Sequence, residues 1–315
     1  MADLQLKLAC GDYELTRPLV SGAVKPDGIE LIPDTGFVAR DRHWAMSQHD
    51  AYDVCEFNAP AYVMARDSGR AWTALSVFAH RRFRHGFLFV NPKSGIREPR
   101  DLIGRRVGGL NFTPAGNVFL RGILEEEYSV SHRSIHWFTQ RGEDIAFTPH
   151  EGLRIERLPD SANRAQMLLD GDLDALMEPE YPTPFLAGDP GCVQLFADPR
   201  SVEIDYFQRT GIFPIMHVTV VRQEIVDRYP WVVPSLMAAF EQAKAIAMKR
   251  VANPRVNPLA FWSHAWFEQE RLMGPDPWKY GLCPANRKAI DKIVDYCLVQ
   301  GLVRRRWTAD ELFAA

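Results

Sequence analysis

Arg105-Arg106-Val107-Gly108-Gly109-Leu110-Asn111-Phe112-Thr113-Pro114-Ala115-Gly116 decides how this chain is organised. An apolar β-type run ends at Leu110, residues 111–116 carry turn signals, and a helical pattern follows over Ala115–Tyr128. Thr113 and Pro114 suit the N-cap and first position of that helix, because a hydroxyl accepts a free N–H there and proline has none to leave unpaired. The segment is a strand, a turn and a helix, and it restarts a pattern begun upstream. Strands are expected at 4–9, 28–33 and 53–57, followed by a short helix capped by Thr16, a helix over 38–48, and one with Pro60 in its first turn that runs towards Arg66. Such alternation argues a largely parallel sheet. Two further β-rich runs, 74–78 and 87–90, flank the charged stretch 80–85. Beyond the restart come a strand at 135–139, a polar loop over 141–154, a helix over 162–170 and a strand at 174–177. A long β-type run at 213–221 precedes a mostly helical remainder. The expectation is an α/β fold in two lobes, residues 1–92 with 212–315, and an inserted 93–211. A length of 315 residues fits, since single cores stop growing below that size.

Charge and composition narrow the function. With 37 basic against 40 acidic residues the net charge is −3, and no basic stripe appears, which excludes nucleic acid as a partner. No stretch of about 18 uncharged apolar residues occurs, so no membrane span is expected. The N-terminus lacks the basic and apolar regions of a leader peptide. Five scattered cysteines, Cys10, Cys55, Cys192, Cys283 and Cys297, form no CxxC pair, which reads as reduced thiols in a cytoplasmic protein. No Cys/His spacing calls for a metal, and there is no Walker A, GxGxxG, GxSxG or HExxH motif. The expectation is therefore no cofactor and no metal. A homo-oligomer is allowed for.

In open parallel sheets ligands bind beyond the carboxyl ends of the strands. Those ends carry Asp12, Tyr13, Asn58, Arg84, His85, Asn111, Thr113 and Glu178. Helix starts after Asn58 and Asn111 offer free N–H groups to a carboxylate, Asn111 with Thr113 being the better seat. Arg84 presents a planar fork that matches a carboxylate, and His85 titrates near neutrality. A run such as 80–85 is as often a solvated charged face, but Phe87-Leu88-Phe89-Val90 follows at once and puts this pair at a core boundary. His217 interrupts an apolar run and on its own reads as a core histidine. Glu178 is a candidate base or a solvated turn residue. Trp262, Trp266, Phe267 and Trp278 read as packing of the helical end.

Several stretches together carry a resemblance. They include Ala9-Cys10-Gly11-Asp12-Tyr13 with Thr16-Arg17, Tyr62-Val63-Met64-Ala65-Arg66, Phe83-Arg84-His85, Ile135-His136-Trp137, Arg209-Thr210-Gly211-Ile212-Phe213-Pro214-Ile215-Met216-His217, Asp276-Pro277-Trp278 and Asp310-Glu311-Leu312-Phe313. In these the chain resembles the 4,5-dihydroxyphthalate decarboxylase family, relatives of the type II periplasmic binding proteins. The resemblance implies a small aromatic carboxylate clamped between two lobes. It departs from the family at Asn58-Ala59-Pro60, where a Ser-rich turn is usual, in the loop 110–116, and at Glu180, where an Arg is usual. Arg replaced by Glu removes a carboxylate partner, which favours a substrate with fewer carboxylates than a phthalate.

What the resemblance implies is decarboxylation of a hydroxylated aromatic acid without a cofactor. A hydroxyl para to the leaving carboxylate feeds electron density into the ring carbon, which takes up a proton before CO2 departs. His85 or His217 is expected as proton donor, Arg84 as carboxylate anchor and Glu178 as base, with Asp12, Tyr13, Asn58, Asn111 and Thr113 orienting the ring. The rival expectation is a non-catalytic solute-binding protein for a small organic anion, since fold alone does not decide function.

Overall fold

The computed structural model describes residues 4–314; Met1–Asp3 and Ala315, the extremes of the first expected lobe, lie outside them. The chain forms two compact units, the first from residues up to Arg81 with 215–290 and 307–315, the second from 82–214 with 291–306.

The first unit is built on β1 (Leu4–Ala9), β2 (Ile29–Asp34), β3 (Val54–Asn58), β4 (Trp72–Leu75) and β11 (His217–Arg222), in the order β2-β1-β3-β11-β4. The first three run parallel, and β11 lies antiparallel between β3 and β4. All of β3 is buried, as expected of a central strand covered on both faces. Its register fixes which side chains share a face. Thr219 lies opposite Glu56, His217 opposite Asn58, and Leu8 opposite Val54. Side chains alternate along a strand, so Leu8, Cys10, Val54, Glu56, Asn58, His217 and Thr219 all project from one face. The apolar members of that face pack with Leu75, Val77 and Val221 under helix Val232–Val251, which buries Val232, Leu236, Phe240 and Ala243. A carboxylate and an imidazole therefore emerge, with Asn58 and Thr219, at the polar end of a sheet face whose other end is apolar.

The second unit holds β5 (Leu88–Val90), β6 (Arg106–Gly109), β7 (His136–Thr139), β8 (Arg154–Arg157), β9 (Ala175–Met177) and β10 (Val193–Gln194), ordered β10-β5-β9-β6-β7-β8. Helix Ala115–Tyr128 in this unit buries ten consecutive residues, Ala115 to Leu124.

Several expectations need correction. The run 87–90 belongs to the second sheet, where β5 pairs with β9 and β10, so the unit boundaries fall at 81/82 and 214/215 rather than 92/93 and 211/212. Residues 291–306 join the second unit because Gln300 bonds Val118 O and Arg121 Nε while Tyr296 bonds Glu126. The 213–221 run is a strand only from His217. Pro214 lacks an N–H for the ladder, and 212–216 make a single bridge, Ile215 to Arg81. Thr16 stands at a helix start but makes no cap bond; its hydroxyl donates to Gly11 O at 2.6 Å and accepts from Tyr13 N at 3.1 Å, tying the loop after β1. The helix at 115 has Pro114 as its N-cap, because Thr113 is bonded elsewhere.

Gly122 makes one close approach of helix to side chain: a Cβ added there would lie 2.4 Å from the Tyr296 ring. Gly122→Ala should therefore lower the unfolding free energy by about 1–3 kcal/mol, the usual cost of overpacking. Denaturant titration checks this, and Gly122→Ala with Tyr296→Leu should recover much of the loss.

Candidate functional site

Glu56 is the centre of the polar cluster in the first unit. It is 2 % exposed, yet each of its oxygens has two donors. Oε1 accepts from His217 Nδ1 at 2.5 Å and from the Tyr13 hydroxyl at 3.0 Å. Oε2 accepts from Gly11 N at 2.7 Å and from Arg42 Nη2 at 2.8 Å. Burial alone would push this carboxyl up, but His217, Arg42 and the Gly11 N–H outweigh it and hold Glu56 below the ordinary carboxylate range. It is an ionised, fully bonded carboxylate inside the protein. Arg42, 1 % exposed on helix Ala39–His49, is its counterion and also donates to the backbone carbonyls of Glu56 and Phe37.

His80 completes the cluster. Its Nδ1 lies 3.2 Å from His217 Nδ1, and the two rings meet edge to face at 4.5 Å. His80 is half-buried, whereas His217 is buried, so the cluster opens outward through His80. His43 packs edge-on against His217 at 4.8 Å, and burial keeps it neutral far below its ordinary range. Burial, and then Glu56, raise the Tyr13 hydroxyl above its ordinary value, so it stays protonated and donates. Cys10 is likewise pushed up to about 12 by burial and carries no thiolate.

Of the residues expected at the site, Tyr13 and His217 therefore meet on Glu56. Asn58 pairs with His217 across the sheet and caps helix Ala59–Asp67 by accepting from Ala61 N. Asp12 is exposed and paired with Arg17.

The others lie in the second unit and are engaged differently. His85 is fully buried, its ring packed on Phe196 and Tyr206, with both nitrogens unbonded and Glu203 3.9 Å from Nδ1. Burial, and then Arg209, push it down to about 4. Arg84 is buried over the Phe87 ring, donates to Pro179 O, and lies against Gly116, where a Cβ would come within 2.7 Å of its Nε. Burial lowers it to about 9, so it remains charged at neutral pH. Glu178 is held by a two-point ion pair with Arg164, at 2.6 and 3.1 Å. At the turn of Asn111 and Thr113 the protein's own Glu143 accepts from Phe112 N at 2.6 Å and Thr113 N at 2.9 Å. Glu180 is exposed after β9.

Sequence reasoning passed over Glu56, Arg42, His80 and Glu143. A signal existed for the first: Glu56 is a charged residue inside the apolar run Val54-Cys55-Glu56-Phe57, and buried charges need partners.

No family model matches the chain. Among solved structures, the periplasmic aliphatic sulphonate binding protein SsuA from Escherichia coli superposes with a TM-score of 0.57 at 13% identity, over 98% of this chain and 97% of that one. The alkanesulfonate-binding protein SsuA from Xanthomonas axonopodis pv. citri gives 0.55 at 16% identity, over 100% and 98%. The fold is thus the two-lobed, type II periplasmic-binding-protein-like α/β architecture. Sequence relatives are closer. A 4,5-dihydroxyphthalate decarboxylase of Pseudomonas putida is 30% identical over 218 residues, 66% of this chain and 83% of that protein. One of Comamonas testosteroni is 32% identical over 325 residues, 99% of this chain and 97% of that protein. Identity of 32% over 99% of this chain and 97% of that protein makes the chain a member of the 4,5-dihydroxyphthalate decarboxylase family.

Proposed function

We propose that the chain is a carboxy-lyase that removes CO2 from a hydroxylated aromatic acid, and that Glu56, His217 and His80 carry the chemistry. The observation behind this is the buried, ionised Glu56 bonded to His217, with half-buried His80 beside it. The reaction converts a ring carboxylate and one proton into a ring C–H bond and CO2. A phenolic hydroxyl para to the carboxylate raises the electron density at the ring carbon once its proton is withdrawn. His217, braced by Glu56, is the group to withdraw it, and His80 passes a proton between this pair and the ligand. Arg42 and the Gly11 N–H keep Glu56 ionised, so it acts as a fixed negative partner for the imidazole. Such acid–base assistance is worth about 10²–10⁴-fold, so positioning of the ring must contribute the larger share of the acceleration.

The proton-donor role expected of His85 passes to the histidine cluster, because His85 is sealed and neutral at physiological pH. The five cysteines form no disulfide, which favours a cytoplasmic setting, and no described helix is long and apolar enough to cross a membrane.

A panel of hydroxylated benzoic and phthalic acids tests the reading, with CO2 and ring products followed. Release from one member is expected. Tight binding without release, with and without divalent metal, would instead support a solute-binding protein.

A further inference from the structure

The contacts around His217 leave a question of protons. Its Nδ1 faces two atoms at once, Glu56 Oε1 at 2.5 Å and His80 Nδ1 at 3.2 Å. A neutral imidazole nitrogen either carries one hydrogen or offers one lone pair. If His217 Nδ1 donates to Glu56, it has no lone pair left for His80, and a hydrogen on His80 Nδ1 would point at another hydrogen. If it accepts from His80, the carboxylate faces a nitrogen with no hydrogen to give. One proton on His217 Nδ1 reaches both only as a shared three-centre bond, with His80 Nδ1 left unprotonated.

A metal ion can serve all three atoms. We propose that Glu56, His80 and His217 form a binding site for a divalent transition-metal ion such as Zn²⁺, Co²⁺ or Mn²⁺. One donor atom from each residue lies within 4.8 Å of the others. Ligands about 2.0–2.1 Å from a tetrahedral ion stand about 3.3 Å apart, close to the 3.2 Å between the two Nδ1 atoms. The Glu56–His217 contact is tighter and opens by somewhat less than an ångström on binding.

The surroundings suit an ion too. Glu56 Oε2 is tied down by Gly11 N and Arg42, which leaves Oε1 to face the histidines, the kind of outer support that orients ligands in metal sites. Two imidazoles with one carboxylate favour transition metals over Mg²⁺ or Ca²⁺, which take oxygen ligands. Three protein ligands with a half-buried edge at His80 describe an open site rather than a closed structural one. Charge also fits. Arg42 and Glu56 cancel, so the ion brings a net +2 to the cluster, matched by a dianionic aromatic acid. Bound there, the ion would take the phenolate oxygen and favour loss of the phenolic proton, so that Glu56, His217 and His80 act as its ligands in place of the direct proton transfer open to the metal-free cluster. That role in turnover rests on the decarboxylase reading; occupancy of the site does not.

The test titrates Co²⁺ into chelator-treated full-length protein and reads its visible d–d absorption, with metal content measured separately. One equivalent with a low-symmetry, intense band is expected, and His80→Ala, changed at the half-buried ligand, should weaken binding by more than about 100-fold. No band, or a band unchanged in His80→Ala, overturns the site. Chelated protein should also lose turnover and regain it with Co²⁺ or Zn²⁺. Full turnover by metal-free protein alongside a normal Co²⁺ band would overturn the role in turnover and leave the decarboxylase reading standing. Absence of turnover from every acid in any metal state would count against that reading, with the band still judging the site.

Discussion

Glu56→Gln is expected to cut kcat/KM for CO2 release about 10³-fold, the middle of the range for a group engaged in proton transfer. It should also destabilise the first unit. Glutamine keeps the shape but loses the charge, and Arg42, 1 % exposed, is left as a buried cation without an anion. Breaking a buried pair from one side costs about 3–5 kcal/mol. The two effects separate in the double variant Glu56→Gln with Arg42→Met. Removing both charges should restore most of the stability, while turnover stays as low as in Glu56→Gln. Denaturant titration and steady-state kinetics on the wild type and the Arg42 and Glu56 variants measure both. Wild-type kcat in Glu56→Gln would remove the residue from the chemistry.

The second large effect concerns pH and the second unit. Asp144 lies in the loop before β8, 7 % exposed, and burial raises its carboxyl to about 7. The folded value stands above the unfolded one, so the folded state favours the protonated acid. The stability this provides is fully present below about pH 4, is lost progressively as pH rises towards 7, and is absent above it. Asp144→Asn is neutral throughout and escapes that loss. At pH 8 the variant should be more stable than the wild type by up to about 4 kcal/mol, and near pH 4 the two should coincide. Unfolding free energies compared at these pH values check the sign. A variant destabilised at pH 8 would mean that Asp144 is ionised and paired in the folded protein.

Much of the fold was legible because local chemistry and sheet period agree. The central strand, the helix after Asn58 and the helix at Ala115 follow from apolar runs and proline positions. The family was legible for another reason: its matching segments are spread along nearly the whole chain. The site was not, because it is non-local. His217 was visible as a polar break in an apolar run, but its partner Glu56 is 161 residues away and reaches it only through the β3–β11 register. The charged stretch 80–85 drew attention to Arg84 and His85. It straddles the division between the two units, and His80, at its start, is the member that joins Glu56 and His217. The turn at 111–113 was read as a seat for a ligand carboxylate, whereas in the structure Phe112 N and Thr113 N donate to a side chain of the protein itself. That side chain, Glu143, came from a loop read only as polar surface.

The proposed division of labour between two histidines is the most direct point of attack. With the acid identified by the panel, His217→Asn and His85→Phe are compared under the same conditions, with folding verified by circular dichroism. The expected result is loss of CO2 release by about 10²-fold or more in His217→Asn, with near wild-type release in His85→Phe. Wild-type release from His217→Asn, together with loss in His85→Phe, would contradict the account and move the chemistry to the second unit.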